Sequence, residues 1–367
     1  MQNRTAMARR DSVSRNPADE ASSLVARPRR RSTLKDVARL AGVSPMTVSN
    51  VVNGTLRGYN EETRDRVLEA IERANYRPDI AARSLRTDRR MAVGMLVVQT
   101  GRRFLADPYI TSLLDGLCAG LNQRGYSLVL QGLHVDELAT ASLVQQLQTD
   151  GLCVLMSGNF MASTAFRATL KAMRQPIVMF QQPQPDPDGD ICSLRQDDFD
   201  GGRVVCEHLV QRGARHVVAV VPELDWPAMS ARVAGARHFI EASGARTRMT
   251  VLTSTDESAA ATQGAVEGFM ASHARFDAIF AGNDQMAIAT HRLLTRRQLR
   301  IPEDVMVAGF NGLDFIDYFG TRLTTVRSPA FELGQLGAYH MVKRIETGAF
   351  DSRAITLPTE LMIGTTT

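Results

Sequence analysis

Residues 34–54 read LKDVARLAGVSPMTVSNVVNG, two short runs of helical spacing with only AGVS between them. Leu34, Val37, Ala38 and Ala41 fall on one helical face, and Gly42 supplies the stop. Thr33 is placed to cap the first helix, with Asp36 in its first turn, where a negative charge suits the helix end. Ser44 then caps a second helix that has Pro45 at its first position, where the missing N–H costs nothing. Val48, Val51 and Val52 make its buried side, leaving Met46, Thr47, Ser49 and Asn50 on or near the exposed one. A turn this short makes the two helices cross closely. A third helix, from about Glu61 to Ala74, offers Val67, Leu68 and Ile71 to close a small core. The pattern is a helix-turn-helix, whose second helix suits the major groove of DNA.

Charge is distributed in keeping with that reading. Residues 1–90 carry 19 Lys and Arg against 11 Asp and Glu, whereas the rest carry 24 against 28. A polyanion contact therefore belongs to the front of the chain. Residues 1–31, rich in Ser, Ala, Pro and Arg, read as a disordered basic arm with RPRRR at its end. They lack the apolar core of a signal peptide, and no later apolar run reaches membrane-spanning length, which makes the cytoplasm the expected compartment. Cys118, Cys153, Cys192 and Cys206 have no metal-ligand spacing and read as free thiols of a reducing environment.

From Met91 short apolar runs alternate with helical stretches. AVGMLVV, YSLVLQG, GLCVLMSG and PIVMF precede a polar break at residues 181–190, QQPQPDPDGD. HVVAVV, DAIFAG and VMVAGF follow it, with helical segments between them. This beat predicts parallel α/β layers in two lobes that meet near residues 190–195. A late helix is expected from about Phe331 to Glu346. Open parallel sheets bind ligands at the carboxyl ends of their strands. Asp107, Arg232, Asn283, Asp284 and Asn311 stand at such ends, and Asp284 serves equally well as a helix cap. Trp226 and Phe104 offer stacking faces, and Arg102 with Arg103 would favour an acidic ligand if they reach the mouth.

The stretch TLKDVARLAGVSPMTVSNVVNG, followed by NEETRDRVLEAIERANYRPDIAARSLRT, resembles the DNA-binding headpiece of the lactose/purine repressor family, and the similarity runs from about residue 32 to the end. The resemblance implies an α/β fold in which an all-α helix-turn-helix headpiece precedes a two-lobed, periplasmic-binding-protein-like core with parallel sheets, the late helix crossing back to the first lobe. It implies a DNA-facing set of Thr33, Ser44, Pro45, Met46, Thr47, Ser49, Asn50, Asn53 and Tyr59. It also implies a hinge helix in PDIAARSLRT, whose Leu85 wedges into the minor groove with small Ala82 one turn earlier. Asn50 stands where many relatives carry Arg or His, and its amide pairs more naturally with adenine. In the core the implied effector contacts are Asp107, Trp226, Arg232, Asn283 and Asn311, Asn311 replacing the family's usual Asp.

The expected organisation is an arm at 1–31, a headpiece at 32–77, a hinge and linker at 78–90, a first lobe at 91–190 plus about 328–348, and a second at 191–327 plus about 349–367. The chain lacks GxGxxG, P-loop, HExxH and GxSxG fingerprints, and the paired acids Asp197 and Asp198 need be no more than helix caps. No catalytic role, cofactor or metal is expected. The reading is a homodimeric repressor that binds a near-palindromic double-stranded operator, responds to a small carbohydrate-related effector and does not engage a membrane. Two rivals stay open: a two-lobed solute-binding protein, which the basic head speaks against, and a regulator without effector control, which Asn311 keeps in play.

Overall fold

The computed structural model describes residues 32–52, 54, 58–77, 89–99, 104–146, 148–158, 164–182, 190–244, 246–272 and 275–367. The arm, Asn53, the hinge residues Ala82 and Leu85, and the pair Arg102 and Arg103 lie outside them. The described residues form two compact units, one before and one after residue 88.

The first unit holds three helices, α1 (Leu34–Ala41), α2 (Pro45–Val52) and α3 (Glu61–Arg73). Thr33 and Asp36 form a reciprocal capping box, and Gly42 closes α1 with φ of 67°. Val37, Ala38, Ala41, Val48, Val51, Val67 and Ala70 make the core. Leu68, expected inside, is instead exposed. Val67, Ala70, Ile71 and Ala74 share the inward stripe of α3, whereas Leu68 lies about 100° away from Val67 around the helix.

The second unit is built from two six-stranded sheets. Its elements begin with β1 (Ala92–Gln99), α4 (Pro108–Asn122), β2 (Ser127–His134), the single turn α5 (Ser142–Gln145), β3 (Gly151–Met156), α6 (Thr164–Ala172), β4 (Ile177–Phe180) and β5 (Ile191–Gln196). They continue with α7 (Asp198–Gln211), β6 (His216–Pro222), α8 (Pro227–Ser243), β7 (Arg248–Ser254), α9 (Ala259–Ala271), β8 (Ala278–Ala281) and α10 (Asp284–Arg296). The last are β9 (Met306–Asn311), β10 (Thr324–Arg327), α11 (Ala330–Thr347), β11 (Ala354–Leu357) and β12 (Glu360–Met362).

The first sheet runs β11-β5-β4-β3-β1-β2 and is parallel throughout. The second runs β12-β10-β9-β8-β6-β7 and is parallel except for β12. Central strands such as β3, β4 and β6 are buried along their whole length, because helices cover both faces of each sheet. The late helix α11 packs on α4 of the first lobe. Gly116 makes that approach possible: a Cβ there would lie 1.9 Å from the Phe331 carbonyl oxygen.

The expected lobe boundary needs correction. Ile191–Gln196 and Ala354–Leu357, assigned above to the second lobe, both belong to the first sheet. Ile177 pairs with Ile191 and Ser193 with Ala354, so the polar break after β4 is a connection inside the lobe. The chain passes between lobes after Gln196, after Arg327 and after Leu357. All four cysteines are free, and three of them are buried.

Candidate functional site

The two lobes enclose a cleft of about 590 Å³, counting the open space at its mouth. Asp107, Trp226, Arg232, Asn283 and Asn311, the five residues expected there, all line it. Asp107, Trp226, Asn283 and Asn311 stand at a helix start or a strand end, and Arg232 lies in the second turn of α8, which is why parallel topology gathers them. Asp107 caps α4, its Oδ1 accepting from Tyr109 N at 2.9 Å. Asn283 caps α10 by accepting from Met286 N at 2.9 Å, while its Nδ2 donates to Glu257 Oε1 at 2.7 Å. Trp226 precedes α8, and its Nε1 is buried without a partner. Asn311 ends β9 with φ of 118°, and its Oδ1 is likewise buried and unpartnered.

Arg232, only 3% exposed, is held on several sides. Its Nε donates to Asp198 Oδ1 at 2.9 Å, its Nη1 to the Gly282 carbonyl, and its guanidinium carbon lies 3.7 Å from the centre of the Phe310 ring. The backbone brings these partners together. A Cβ on Gly202 would lie 2.0 Å from the Arg232 carbonyl oxygen, so glycine lets α7, which carries Asp198, press against α8. Asp198 also accepts from Gln196 Nε2 at 2.8 Å.

Several lining residues escaped the sequence reading: Tyr109, Ser157, Gln181, Met229 and Glu257 among them. Gln181 Nε2 donates to the Tyr109 hydroxyl at 2.6 Å. Ser157, Gln181 and Glu257 obey the strand-end rule that singled out Asp107, following β3, β4 and β7. Gln181 falls in the polar break QQPQPDPDGD, and Glu257 in a stretch for which no reading was made. Phe104, by contrast, packs over Gly132 of β2 and is not part of the lining. Asp284 serves structure: its carboxylate accepts from Thr325 Oγ1 at 2.5 Å and from Gly312 N at 2.7 Å, and it does not line the cleft.

The acids of the cleft have unusual environments. Burial, then the neighbouring Asp107, pushes the Glu257 carboxyl up to about 8. Burial also raises Asp107 above the ordinary range, against the backbone bonds of its cap. For Asp198 burial acts upward and the Arg232 guanidinium downward. Burial likewise raises the Tyr109 hydroxyl, which therefore stays protonated. Among the described residues no group of His, Cys, Asp and Glu is arranged to hold a metal ion, and no helix is long and apolar enough to cross a membrane.

On the headpiece, Ser44, Pro45 and Met46 are exposed at the start of α2, Met46 by 67%. Ser44 caps the helix, its Oγ accepting from Thr47 N at 3.1 Å. Thr47 and Asn50 are half-buried, Thr33 is exposed in its capping box, and Tyr59 packs against the headpiece core. Ser49 departs from expectation: it is 5% exposed. It is covered although it lies about 100° from Val48 around α2, so in this conformation its side chain is not offered outward.

Residues 33–79 match the family model described as bacterial regulatory proteins, lacI family, and residues 206–367 match a periplasmic binding protein-like domain. The ribose operon repressor of Escherichia coli K12 is 28% identical over 333 residues, covering 90% of this chain and 98% of its own. The HTH-type transcriptional repressor PurR of Vibrio campbellii is 28% identical over 344 residues, covering 91% and 98%. Among solved structures, a lac repressor dimer bound to operator and the anti-inducer ONPF has a TM-score of 0.78 at 23% identity, covering 92% of this chain and 99% of its own. A complex of the transcriptional regulator CelR with cellobiose has a TM-score of 0.68 at 26% identity, covering 92% and 100%. A lacI-family regulator from Enterococcus faecium with bound ribose has a TM-score of 0.66 at 22% identity, covering 75% and 98%.

Proposed function

The chain belongs to the lacI family of bacterial transcriptional repressors, and from that premise we propose a cytoplasmic homodimer that reads a near-palindromic operator under effector control. The effector of this reading is a small hydroxylated, carbohydrate-related molecule held between the core lobes.

One observation carries the effector half: Trp226 and Asn311 line the same cleft, and each carries a buried polar atom without a partner, the donor Nε1 and the acceptor Oδ1. Leaving such groups unpaired costs about 1–3 kcal/mol each. Hydroxyl groups both donate and accept, so a polyhydroxylated ligand satisfies the two together. The matched relatives point the same way, since one is named for a ribose operon and solved neighbours are described with cellobiose and with ribose. For the DNA half, the exposed Ser44, Pro45 and Met46 stand where a recognition helix contacts base edges and phosphates.

Selection of duplexes from a random pool by the purified protein, followed by titration of uncharged sugars against the selected DNA, tests both halves. The expected result is one preferred, near-palindromic site whose affinity changes with at least one sugar. Recovery of no preferred sequence would remove the repressor reading, and a preferred site indifferent to every sugar would remove the effector.

A further inference from the structure

We propose that Asp198, which is buried behind the cleft and does not line it, determines the charge selectivity of the site: by tying up Arg232 it makes the cleft accept uncharged hydroxylated ligands and refuse carboxylates and phosphates. The inference rests on the effector reading above and adds the residue that sets its ligand class.

The geometry of Arg232 is the first reason. A guanidinium grips a carboxylate or phosphate through two parallel N–H bonds, either from Nε with Nη2 or from Nη1 with Nη2. Here Nε is spent on Asp198, and Nη1 on the Gly282 carbonyl with Met229 Sδ at 3.8 Å. Both forks are therefore broken before a ligand arrives. Nη2 makes no protein hydrogen bond among the described residues, and Arg232 lines the cleft. What it offers is a single nitrogen whose two N–H groups suit hydroxyls but complete neither fork.

Charge is the second reason. Among the described residues Arg232 is the only cationic side chain in the lining, and its charge is matched by Asp198 at 2.9 Å. Asp107 and Glu257 add two carboxyl groups to the same walls, Glu257 as a neutral acid below about pH 8. Among the described residues an anionic ligand would meet a low-dielectric space with no uncompensated positive charge. The remaining polar groups, Asn283, Asn311, Gln181, Ser157 and the Trp226 indole, are neutral donors and acceptors. Arginine in this sequence position invites an acid-binding interpretation, and Asp198 removes the basis for it.

The test is calorimetric titration of ribose, glucose and cellobiose against ribose 5-phosphate, glucuronate and gluconate. Wild-type protein should favour the uncharged members at least tenfold. Asp198→Asn keeps an oxygen for Arg232 Nε while removing the negative charge, and should shift the acid-to-neutral affinity ratio at least tenfold toward the acids. Adding Arg232→Met to that variant should abolish the gain, which shows that it runs through the guanidinium. If wild type binds none of the six but Asp198→Asn takes up an acid, the charge role stands and the carbohydrate reading falls. A wild-type preference for the acids would overturn the proposal, as would an unchanged ratio in folded Asp198→Asn, or no binding by either protein. Removing one member of a buried ion pair can unfold a protein. Should Asp198→Asn fail a thermal-melt check, Asp198→Ser and the wild-type ratio decide between the same outcomes.

Discussion

Asn311 shows how much the cleft imposes on single residues. Its φ of 118° lies where side chains are rarely tolerated, and its amide oxygen is buried without a partner. Both features cost stability in the empty protein, and strain of this kind typically amounts to about 1–3 kcal/mol. Asn311→Gly should relieve the strain and raise the melting temperature, while weakening effector binding about tenfold through the lost acceptor. Loss of stability with binding intact would show that the side chain supports the fold instead. Glu257 adds a pH dependence of definite sign. Its folded carboxyl titrates near 8, well above the ordinary carboxylate range, so between those values the native state holds a proton that the unfolded chain has released. Stability must then fall as pH rises through that window. Asp284, raised by burial to about 7, contributes in the same direction. Glu257→Gln retains an oxygen for Asn283 Nδ2 and should flatten, without abolishing, the fall in melting temperature between pH 5.5 and 8.5. An identical slope in the variant would place the titration elsewhere.

At the scale of elements, what could be read from the sequence was whatever depends on local periodicity. The apolar runs of β1, β3, β4, β6, β8 and β9 announced parallel layers, and the strand-end rule placed Asp107, Arg232, Asn283 and Asn311 around one cleft. Two caps were legible too, because Thr33 and Ser44 need only neighbours three residues away, whereas α10 is capped by Asn283 and not by the expected Asp284. Ser49 and Leu68 each lie about 100° from the valine before them, at the margin of the inward stripe, where spacing does not decide burial: Ser49 is covered and Leu68 exposed. The strands β5 and β11 failed for a different reason. Each returns to the first sheet through pairing with a distant segment, Ile177 with Ile191 and Ser193 with Ala354, and hydrophobic spacing carries no information about which sheet a strand will join. Gln181 and the Asp198–Arg232 pair were lost with that boundary, since they acquire their roles only once the chain is known to cross after residue 196.

At the scale of the whole core, the three crossings are fastened to one another. Ser328 Oγ, after β10, donates to Gln196 Oε1, and Gln196 Nε2 donates to Asp198 Oδ1. Asp197 N donates to the Leu357 carbonyl at 2.9 Å, and Thr359 Oγ1 to the Asp197 carbonyl at 3.3 Å. A hinge built this way favours rigid-body movement of the lobes over independent bending of each strand. Gln196 occupies its centre. Its backbone N–H also donates to Gln181 Oε1 at 3.3 Å, and Gln181 holds the Tyr109 hydroxyl in the first-lobe wall of the cleft. The cleft walls of both lobes, through Tyr109 on one side and through Arg232, held by Asp198, on the other, therefore converge on one side chain. Gln196→Leu keeps the volume but removes both amide bonds, leaving the Ser328 hydroxyl and Asp198 each short of a partner. The expected consequence is an effector affinity lowered about tenfold, together with loss of ligand-induced amide protection at residues 194–198 and 326–330 in hydrogen exchange. Affinity of the effector-free protein for its selected duplex should stay within about twofold of wild type, because the substitution acts on the coupling between states and not on the DNA-facing residues. If the crossings gain the same protection on ligand binding in the variant as in wild type, closure does not run through Gln196, and the lobes are coordinated by the remaining backbone bonds alone.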